Sequence, residues 1–406
     1  MNSSAKSTWP RNVIVMGGGR WARVYIDVLL RLLPAGNKLL VYSPRNYKAM
    51  SDWVESRGML SRVSVSSSLP SLPEHESTAV IVVNAAADHE KSIAWALSQQ
   101  SAVLVEKPLT LSSGASNSLV NEADRRGVYM AAAHVFLFAE YMVNFKKMTQ
   151  SLDEIIYIDV LWADAVIEAR HGEVKSFDPG LRVFEDCIPH VLSVLETLNP
   201  GEVPQLVQLD LLSGGAQLEI VLASSHFRYT VRLIRNGAAR SRVITVAGLE
   251  KFFTLDFSQE PGTIVDGSET ISAASNWASS QKPLSRMLEA FFDAVGGGLR
   301  DPRLGTEVGL RAACLSEEIL PAYKVAQADW LSKRLLNADE NDGDLRYALR
   351  EISLVSDPRY QPMTDEHLNQ LIRDIKYCSQ DAAGSERLVL QSIDFVKSVL
   401  NKSRTN

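Results

Sequence analysis

The chain has 406 residues, 46% of them hydrophobic and 22% charged, and a formal net charge of −6. That length suffices for two packed domains, and the acidic balance, with no basic run, argues against a nucleic-acid surface. No apolar run approaches the about 20 residues that a membrane helix needs, and Met1 to Arg11 lacks the apolar core of a secretion signal. Three separated cysteines, Cys187, Cys314 and Cys378, make neither a disulfide framework nor a zinc cluster. A reduced, cytoplasmic protein without a metal is the expectation.

Val13 to Met16 reads as a short buried strand. It runs into Gly17-Gly18-Gly19-Arg20-Trp21-Ala22, and a helical pattern follows through Tyr25, Val28, Leu29 and Leu32. In the spacing Gly17-x-Gly19-x-x-Ala22 the first glycine permits a tight turn. The second lets a pyrophosphate approach the backbone, and the small alanine lets helix and strand pack closely. The helix start offers free N–H groups and the positive end of its dipole to phosphates. The stretch points to a dinucleotide, with Arg20 and Trp21 beside it, although glycine-rich turns without a ligand are common.

A second strand, Leu39 to Tyr42, ends in Ser43-Pro44-Arg45-Asn46. Folds that prefer NAD place a carboxylate here for the ribose 2′-hydroxyl. The hydroxyl of Ser43 and the guanidinium of Arg45 suit a 2′-phosphate instead, which favours NADP(H) over NAD(H). The alternative is a polar turn with a solvated arginine. A helix over 47–57, a strand at 63–65 and a β-branched strand at 80–83 follow. The last of these ends in Asn84 to His89, at the sheet edge where ligands of such folds bind. Asn84 and His89 are candidate cofactor contacts, and His89 opens a helix to about 99. A solvated histidine at a helix entry is the other reading.

Strand 103–105 runs into Glu106-Lys107-Pro108. An ammonium at the carboxyl end of a buried strand can point into the crevice and hydrogen-bond a substrate oxygen or transfer a proton. A plain strand end is the alternative. Val128 to Ala132 closes the first domain, and His134 opens the crossing into the second, as a substrate contact or a structural histidine. A helix is expected over 138–149, a strand over 155–162 and a polar, irregular stretch over 164–178. Asp186 and His190, four residues apart, share a face if their segment is helical. Pro189 is tolerated there if it falls in the first turn. An imidazole is the usual proton donor or acceptor near neutral pH; the alternative is a capping Asp with a buried His. Strands at 207–212, 217–222, 228–234, 243–247 and 252–257, joined by short turns, read as an antiparallel meander. Helices are expected at 284–295 and 307–319; 330–356 is charge-rich with a break at 339–343, and amphipathic helices at 365–377 and 386–400 carry no assigned chemistry.

The glycine turn, the segment Asn84 to His89 and Glu106-Lys107-Pro108-Leu109 resemble, in order and spacing, the glucose–fructose oxidoreductase, inositol dehydrogenase and rhizopine-catabolism (Gfo/Idh/MocA) family. The resemblance covers roughly residues 11–325. It implies an α/β chain with a Rossmann domain over 11–133 and a second, α+β domain over 134–325 built on an open, mostly antiparallel sheet. A helical extension over 326–406 remains. The resemblance implies hydride transfer with a nicotinamide cofactor. It makes Lys107 the active-site lysine and places Glu106 beside the nicotinamide ribose. His190 becomes the candidate acid–base, and Asp186 a substrate-binding or orienting carboxylate. It also implies a homo-oligomer through the second sheet. Two departures stand out: the loop Asn84-Ala85-Ala86-Ala87 lacks the usual proline, and Arg182-Val183-Phe184-Glu185 replaces a glycine-rich stretch.

The leading reading is an NADP(H)-dependent oxidoreductase acting on a small molecule with a sugar-like C=O/CH–OH or a biosynthetic C=N. A non-catalytic NADP(H) sensor or scaffold is the rival, and it would need neither Lys107 nor His190. A hydrolase cycling through tightly held NAD is disfavoured by Ser43 and Arg45.

Overall fold

A computed structural model of the chain describes residues 9–70, 77–170, 173–174, 177, 180–267, 269–335, 339, 341–356, 364–366, 368–370 and 372–373. Cys378 and the helix expected over 386–400 lie outside these residues, and the one over 365–377 is described in part.

The first layer alternates strand and helix: β1 (Asn12–Met16), α1 (Arg20–Leu32), β2 (Lys38–Tyr42), α2 (Tyr47–Ser56), β3 (Val63–Ser66) and β4 (Thr78–Val82). It continues with α3 (His89–Ser98), β5 (Ala102–Glu106), α4 (Ser113–Arg126) and β6 (Met130–Ala133). The strands form one parallel sheet in the order β3-β2-β1-β4-β5-β6. Every residue of β4 is buried, because helices cover both faces of a parallel sheet and a continuous Ala-Val-Ile-Val run suits that position. The strand order reverses between β1 and β4. A crevice therefore opens at their carboxyl ends, and the loops carrying Gly17 and Asn84 line it. Helix α4 went unread in the sequence. Ser112 caps its start, Gly127 ends it at φ +66°, and only Ser116, Leu119 and Ala123 are buried.

The chain then crosses through a short turn at Val135–Phe138 into α5 (Glu140–Thr149) and β7 (Tyr157–Ala165). A minimal hairpin, β8 (Ala169–Arg170) and β9 (Glu173–Val174), precedes α6 (Val183–Leu198). The strands β10 (Gln205–Leu212), β11 (Gln217–Ala223), β12 (Arg228–Gly237), β13 (Ser241–Ala247), β14 (Phe252–Asp256), β15 (Thr263–Asp266) and β16 (Glu269–Ser272) complete a second sheet. Its order is β10-β11-β12-β7-β13-β14-β15-β16, antiparallel except for the β12–β7 pair. The sheet is open and mostly antiparallel, as expected. The meander is interrupted, however, because β7 inserts between β12 and β13.

Three further helices follow among the described residues: α7 (Pro283–Val295), α8 (Glu307–Leu335) and α9 (Gly343–Ser356). Helix α8 runs through Pro321 and past residue 325, where the sequence suggested a boundary. The sequence also stopped this helix at Ile319. Tyr323 and Gln327 are buried one and two turns beyond that point, so packing continues the helix.

Candidate active site

The glycine turn has the shape its spacing implies. Gly17 adopts φ +148° and donates its N–H to the Tyr42 carbonyl at 3.0 Å. A Cβ on Gly17 would fall 2.7 Å from the Val83 carbonyl oxygen, so no larger residue fits. Gly19 is different: no atom lies within 4 Å of where its Cβ would point. That open side faces the start of α1, which has no side-chain cap and no acidic residue in its first turn. Uncapped N–H groups beside an open glycine fit a pyrophosphate. Ala22 is fully buried, as close helix–strand packing requires. Across the switch point, Asn84 donates Nδ2 to Ser92 at 2.8 Å and keeps a buried Oδ1 without a hydrogen-bond partner.

Two residues expected at the cofactor are placed otherwise. Ser43 is 3% exposed, and its hydroxyl fills the space beside Gly18, where a Cβ would come within 1.9 Å. It packs the turn. His89 is 1% exposed, with Nδ1 2.7 Å from the Pro108 carbonyl and Nε2 3.2 Å from the Asn84 carbonyl. Both ring nitrogens face backbone carbonyls, and the single N–H of the neutral ring donates to one of them, so His89 sits between two active-site loops with its ring turned to the backbone. Burial pulls its pKa below the ordinary histidine value. Arg45 does stand in the open beyond β2, its side chain 68% exposed, and it is ion-paired to Asp88.

Glu106 ends β5 as an acceptor for three groups. Oε1 takes Trp21 Nε1 at 2.8 Å and the Tyr25 hydroxyl; Oε2 takes the Lys107 N–H at 3.2 Å. Trp21 thus ties the first turn of α1 to the end of β5. The Tyr25 phenol, buried and beside a carboxylate, is held well above its usual pKa.

Lys107 lies beyond Glu106 and reaches across to the second domain. Nζ donates to the Asp186 carboxylate and, at 3.1 Å, to the Asp186 carbonyl. Asp186 and His190 share one face of α6, as their spacing implies. Pro189, however, is the seventh residue of α6 and not in its first turn, so the helix lacks the bond to the Glu185 carbonyl. The other Asp186 oxygen accepts Arg235 Nη2 at 3.3 Å. Arg235 was missed in the sequence. It is 6% exposed and continues the buried row Tyr229, Val231, Leu233 along β12, so period-2 alternation places it on the inner face.

The charges sort cleanly. Burial raises the Asp186 pKa, but Lys107 and Arg235 outweigh it and hold the carboxyl well below the usual range. Burial lowers the Lys107 pKa, and Asp186 more than reverses this, so the ammonium persists. His190 is driven well below the ordinary histidine range by burial and then by Lys107. It is a neutral imidazole, stacked on Trp162 with centroids 5.1 Å apart at 17°. Arg242 covers the same indole at 4.2 Å and pairs with buried Asp164, both missed in the sequence. Asp164 falls in a stretch expected to be irregular, whereas β7 extends through it.

His134 sits at the domain joint, 3% exposed, with its pKa pushed down to about 4 by burial, Arg311 and Lys107. Nε2 is buried without a hydrogen-bond partner, and a Cβ on Gly309 of α8 would lie 3.5 Å away. The helix packs over this ring, so the structural reading of His134 fits better than a substrate contact. Among the described residues no cluster of three or more His, Cys, Asp or Glu could hold a metal ion. No helix among them is long and apolar enough to cross a membrane.

Residues 11–134 match the model of the Gfo/Idh/MocA group, described as an oxidoreductase family with the NAD-binding Rossmann fold. No curated protein matches the chain. The solved structures similar in fold include the following three. GenD2 from gentamicin A biosynthesis, in complex with NAD, is 20% identical at a TM-score of 0.60, covering 78% of this chain and 94% of its own. KijD10, a 3-ketoreductase from Actinomadura kijaniata in complex with TDP-benzene and NADP, is 18% identical at 0.61, covering 76% and 96%. An inositol dehydrogenase homologue from Azotobacter vinelandii, complexed with NADH and myo-inositol, is 15% identical at 0.57, covering 76% and 94%.

Proposed function

We propose, from a chain whose residues 11–134 match the Gfo/Idh/MocA oxidoreductase model, that it is an NADP(H)-dependent dehydrogenase or reductase of a small molecule bearing C=O/CH–OH or C=N. The observation that carries this reading is the Lys107 ammonium. It is held in the crevice by two contacts to Asp186 and has three N–H bonds, which leaves one donor for a substrate.

The glycine turn, the start of α1 and Asn84 would hold the dinucleotide, with Glu106 at the nicotinamide ribose. When bound, the reduced nicotinamide supplies a hydride to the substrate carbon. The rest is the work of this chain. As hydride adds to a carbonyl carbon, negative charge builds on the oxygen. The remaining Lys107 N–H stabilises that charge, and its proton moves to the oxygen to give CH–OH. Asp186 and Arg235 keep Nζ in place. In the oxidative direction the group that takes the hydroxyl proton must itself be unprotonated. By microscopic reversibility that group is Lys107 Nζ in the unprotonated state that reduction leaves, with neutral His190 as a second acceptor beside it. Lys107→Ala and His190→Ala are both expected to lose most turnover; near-normal turnover in both would overturn the assignment.

NADP(H) preference rests on Arg45 and on the lack of a carboxylate at the end of β2. Arg45 is shared with Asp88, so the two residues should act in opposite directions. NADPH and NADH binding, read by tryptophan fluorescence, tests this. Arg45→Ala should weaken NADPH selectively, and Asp88→Asn should strengthen it. Equal binding of both nucleotides, unchanged in either variant, would refute the preference.

The second sheet supports the expectation of a homo-oligomer. Its outer face carries Leu161, Val221, Ile234 and Val243 half-buried, and Tyr157 and Phe252 exposed. Sedimentation of the purified chain checks this. Free Cys187 and Cys314 agree with a reducing, cytoplasmic setting.

A further inference from the structure

An acid–base histidine is ordinarily turned to its task by a hydrogen bond on its second nitrogen, to a carboxylate or a carbonyl. His190 is not. Asp186, one turn away, is engaged with Lys107 and Arg235, and among the described residues no hydrogen bond reaches either ring nitrogen of His190. The Cβ–Cγ torsion of a histidine is soft by itself, so packing must set it here.

Two aromatic rings do this. Trp162 lies face to face with the imidazole, centroids 5.1 Å apart and 17° from parallel. Phe136 meets both rings nearly at right angles, 5.4 Å from each. Turning the imidazole out of its plane would give up the stack and drive it toward Phe136. The indole is itself held. Ile158, Val160, Trp162 and Asp164 lie on one face of β7, and Arg242 of β13 stands directly across the ladder from Trp162. Its guanidinium lies 4.2 Å from the indole centroid. The Asp164 carboxylate anchors it, with the carbonyls of Ala163 and, at 2.8 Å, Ser241. A desolvated guanidinium binds an indole face more strongly than an exposed one. Trp162 and Arg242 are 2% and 4% exposed, whereas His190 is half-buried, so the column is closed at the sheet and opens at the imidazole.

We propose that Trp162 and Arg242 are positioning residues: Arg242, tied to Asp164, holds the indole, and the indole sets the plane in which the His190 nitrogens meet the substrate. Only the kinetic readout rests on the oxidoreductase reading above. A misplacement of about 1 Å at reacting groups can cost roughly a hundredfold in rate, and a tilted ring that still reaches substrate should cost less.

The full-length chain, isotope-labelled at histidine Cε1, is followed by NMR without substrate. The His190 signal is the one absent from His190→Gln, and in wild type the indole ring current displaces it. Arg242→Lys keeps Trp162 and a charge for Asp164 but removes the planar stack. In that variant the His190 signal should move toward the position of an unstacked histidine, while exposed His226 should not shift. In turnover, Trp162→Leu is expected to lower kcat about tenfold while NADPH affinity stays within about twofold. Trp162→Phe, which retains a ring face, should recover most of that loss. Trp162→Leu/His190→Gln should be no slower than His190→Gln alone, since the indole acts through the imidazole. Arg242→Lys replaces Trp162→Leu in this comparison if the latter folds poorly. An unmoved His190 signal in Arg242→Lys, or additive losses in the double variant, would overturn the proposal. If the signal moves but the wild type oxidises and reduces nothing, the positioning stands and the oxidoreductase reading falls.

Discussion

Replacing Asp186 by Asn removes the one anion shared by Lys107 and Arg235 and leaves the shape of the site in place. Arg235 sits 3.3 Å from the carboxylate. At that separation, with an effective dielectric near 20, the attraction is about 5 kcal/mol. Desolvating the carboxylate offsets part of this, and asparagine retains an acceptor. Breaking a buried pair from one side costs roughly 3–5 kcal/mol, so a loss near the lower end, about 3 kcal/mol, is expected by urea unfolding at pH 7. The pH dependence has a definite sign. The Asp186 pKa is depressed in the folded state, so its contribution is complete above the unfolded carboxyl value of about 4. It is lost as pH falls further, through the folded value, and the gap between wild type and Asp186→Asn should close there. The second signature is at Lys107. With Asp186 gone, burial acts with much less opposition and the Lys107 pKa falls. Its acylation by acetic anhydride, followed peptide by peptide, should begin at lower pH than in wild type. Equal unfolding free energies, together with an unshifted acylation profile at Lys107, would refute this account of the site.

The two glycines of the turn should respond in opposite ways. Gly19→Ala should fold like wild type, because its Cβ enters open space, yet bind NADPH at least about tenfold more weakly. Gly17→Ala should lose about 2 kcal/mol or more of stability through its φ and the clash with Val83, as urea unfolding would show. The rate of substrate oxidation should show no acid limb from His190 across pH 6–8, since burial and Lys107 keep the imidazole neutral there; a pH–rate profile of kcat checks it. Tyr25→Phe removes a donor from Glu106 and should weaken cofactor binding by a few-fold with little loss of fold, as titration with NADPH would reveal.

Much of this site is local in sequence, and that part was legible. The glycine turn, Glu106-Lys107 and the pair Asp186 and His190 each depend on spacing within one strand, turn or helix. What escaped depends on pairings far apart in the chain. Asp88 meets Arg45 across 43 residues, and strand order alone brings β7, with Trp162 and Asp164, between β12 and β13. Arg235 and Arg242 were lost for another reason. The sequence reading ended one strand at Ile234 and began the next at Val243, because charged residues look like strand ends. The alternation 229, 231, 233 continues to 235, and 246, 244 continues back to 242, on the buried face. Helix α4 was missed because its exposed face is long and polar, although Ser112 and Gly127 mark both ends. His89 was expected at the cofactor because it opens a helix at the sheet edge, and only the fold shows that its ring is turned to two carbonyls.

The late place of α9 in the chain also bears on how the protein is made. Lys107, Asp186 and His190 have all been synthesised before the midpoint of the chain, and Arg235 follows soon after. Helix α9, from Gly343, arrives more than a hundred residues later. A message cut short after α8 would therefore yield a product with every reacting side chain and an unclaimed glycine shelf between β10 and β11. Such a product would lack the α9 backbone that rests on Gly214, and the turn between β10 and β11 would lose that cover.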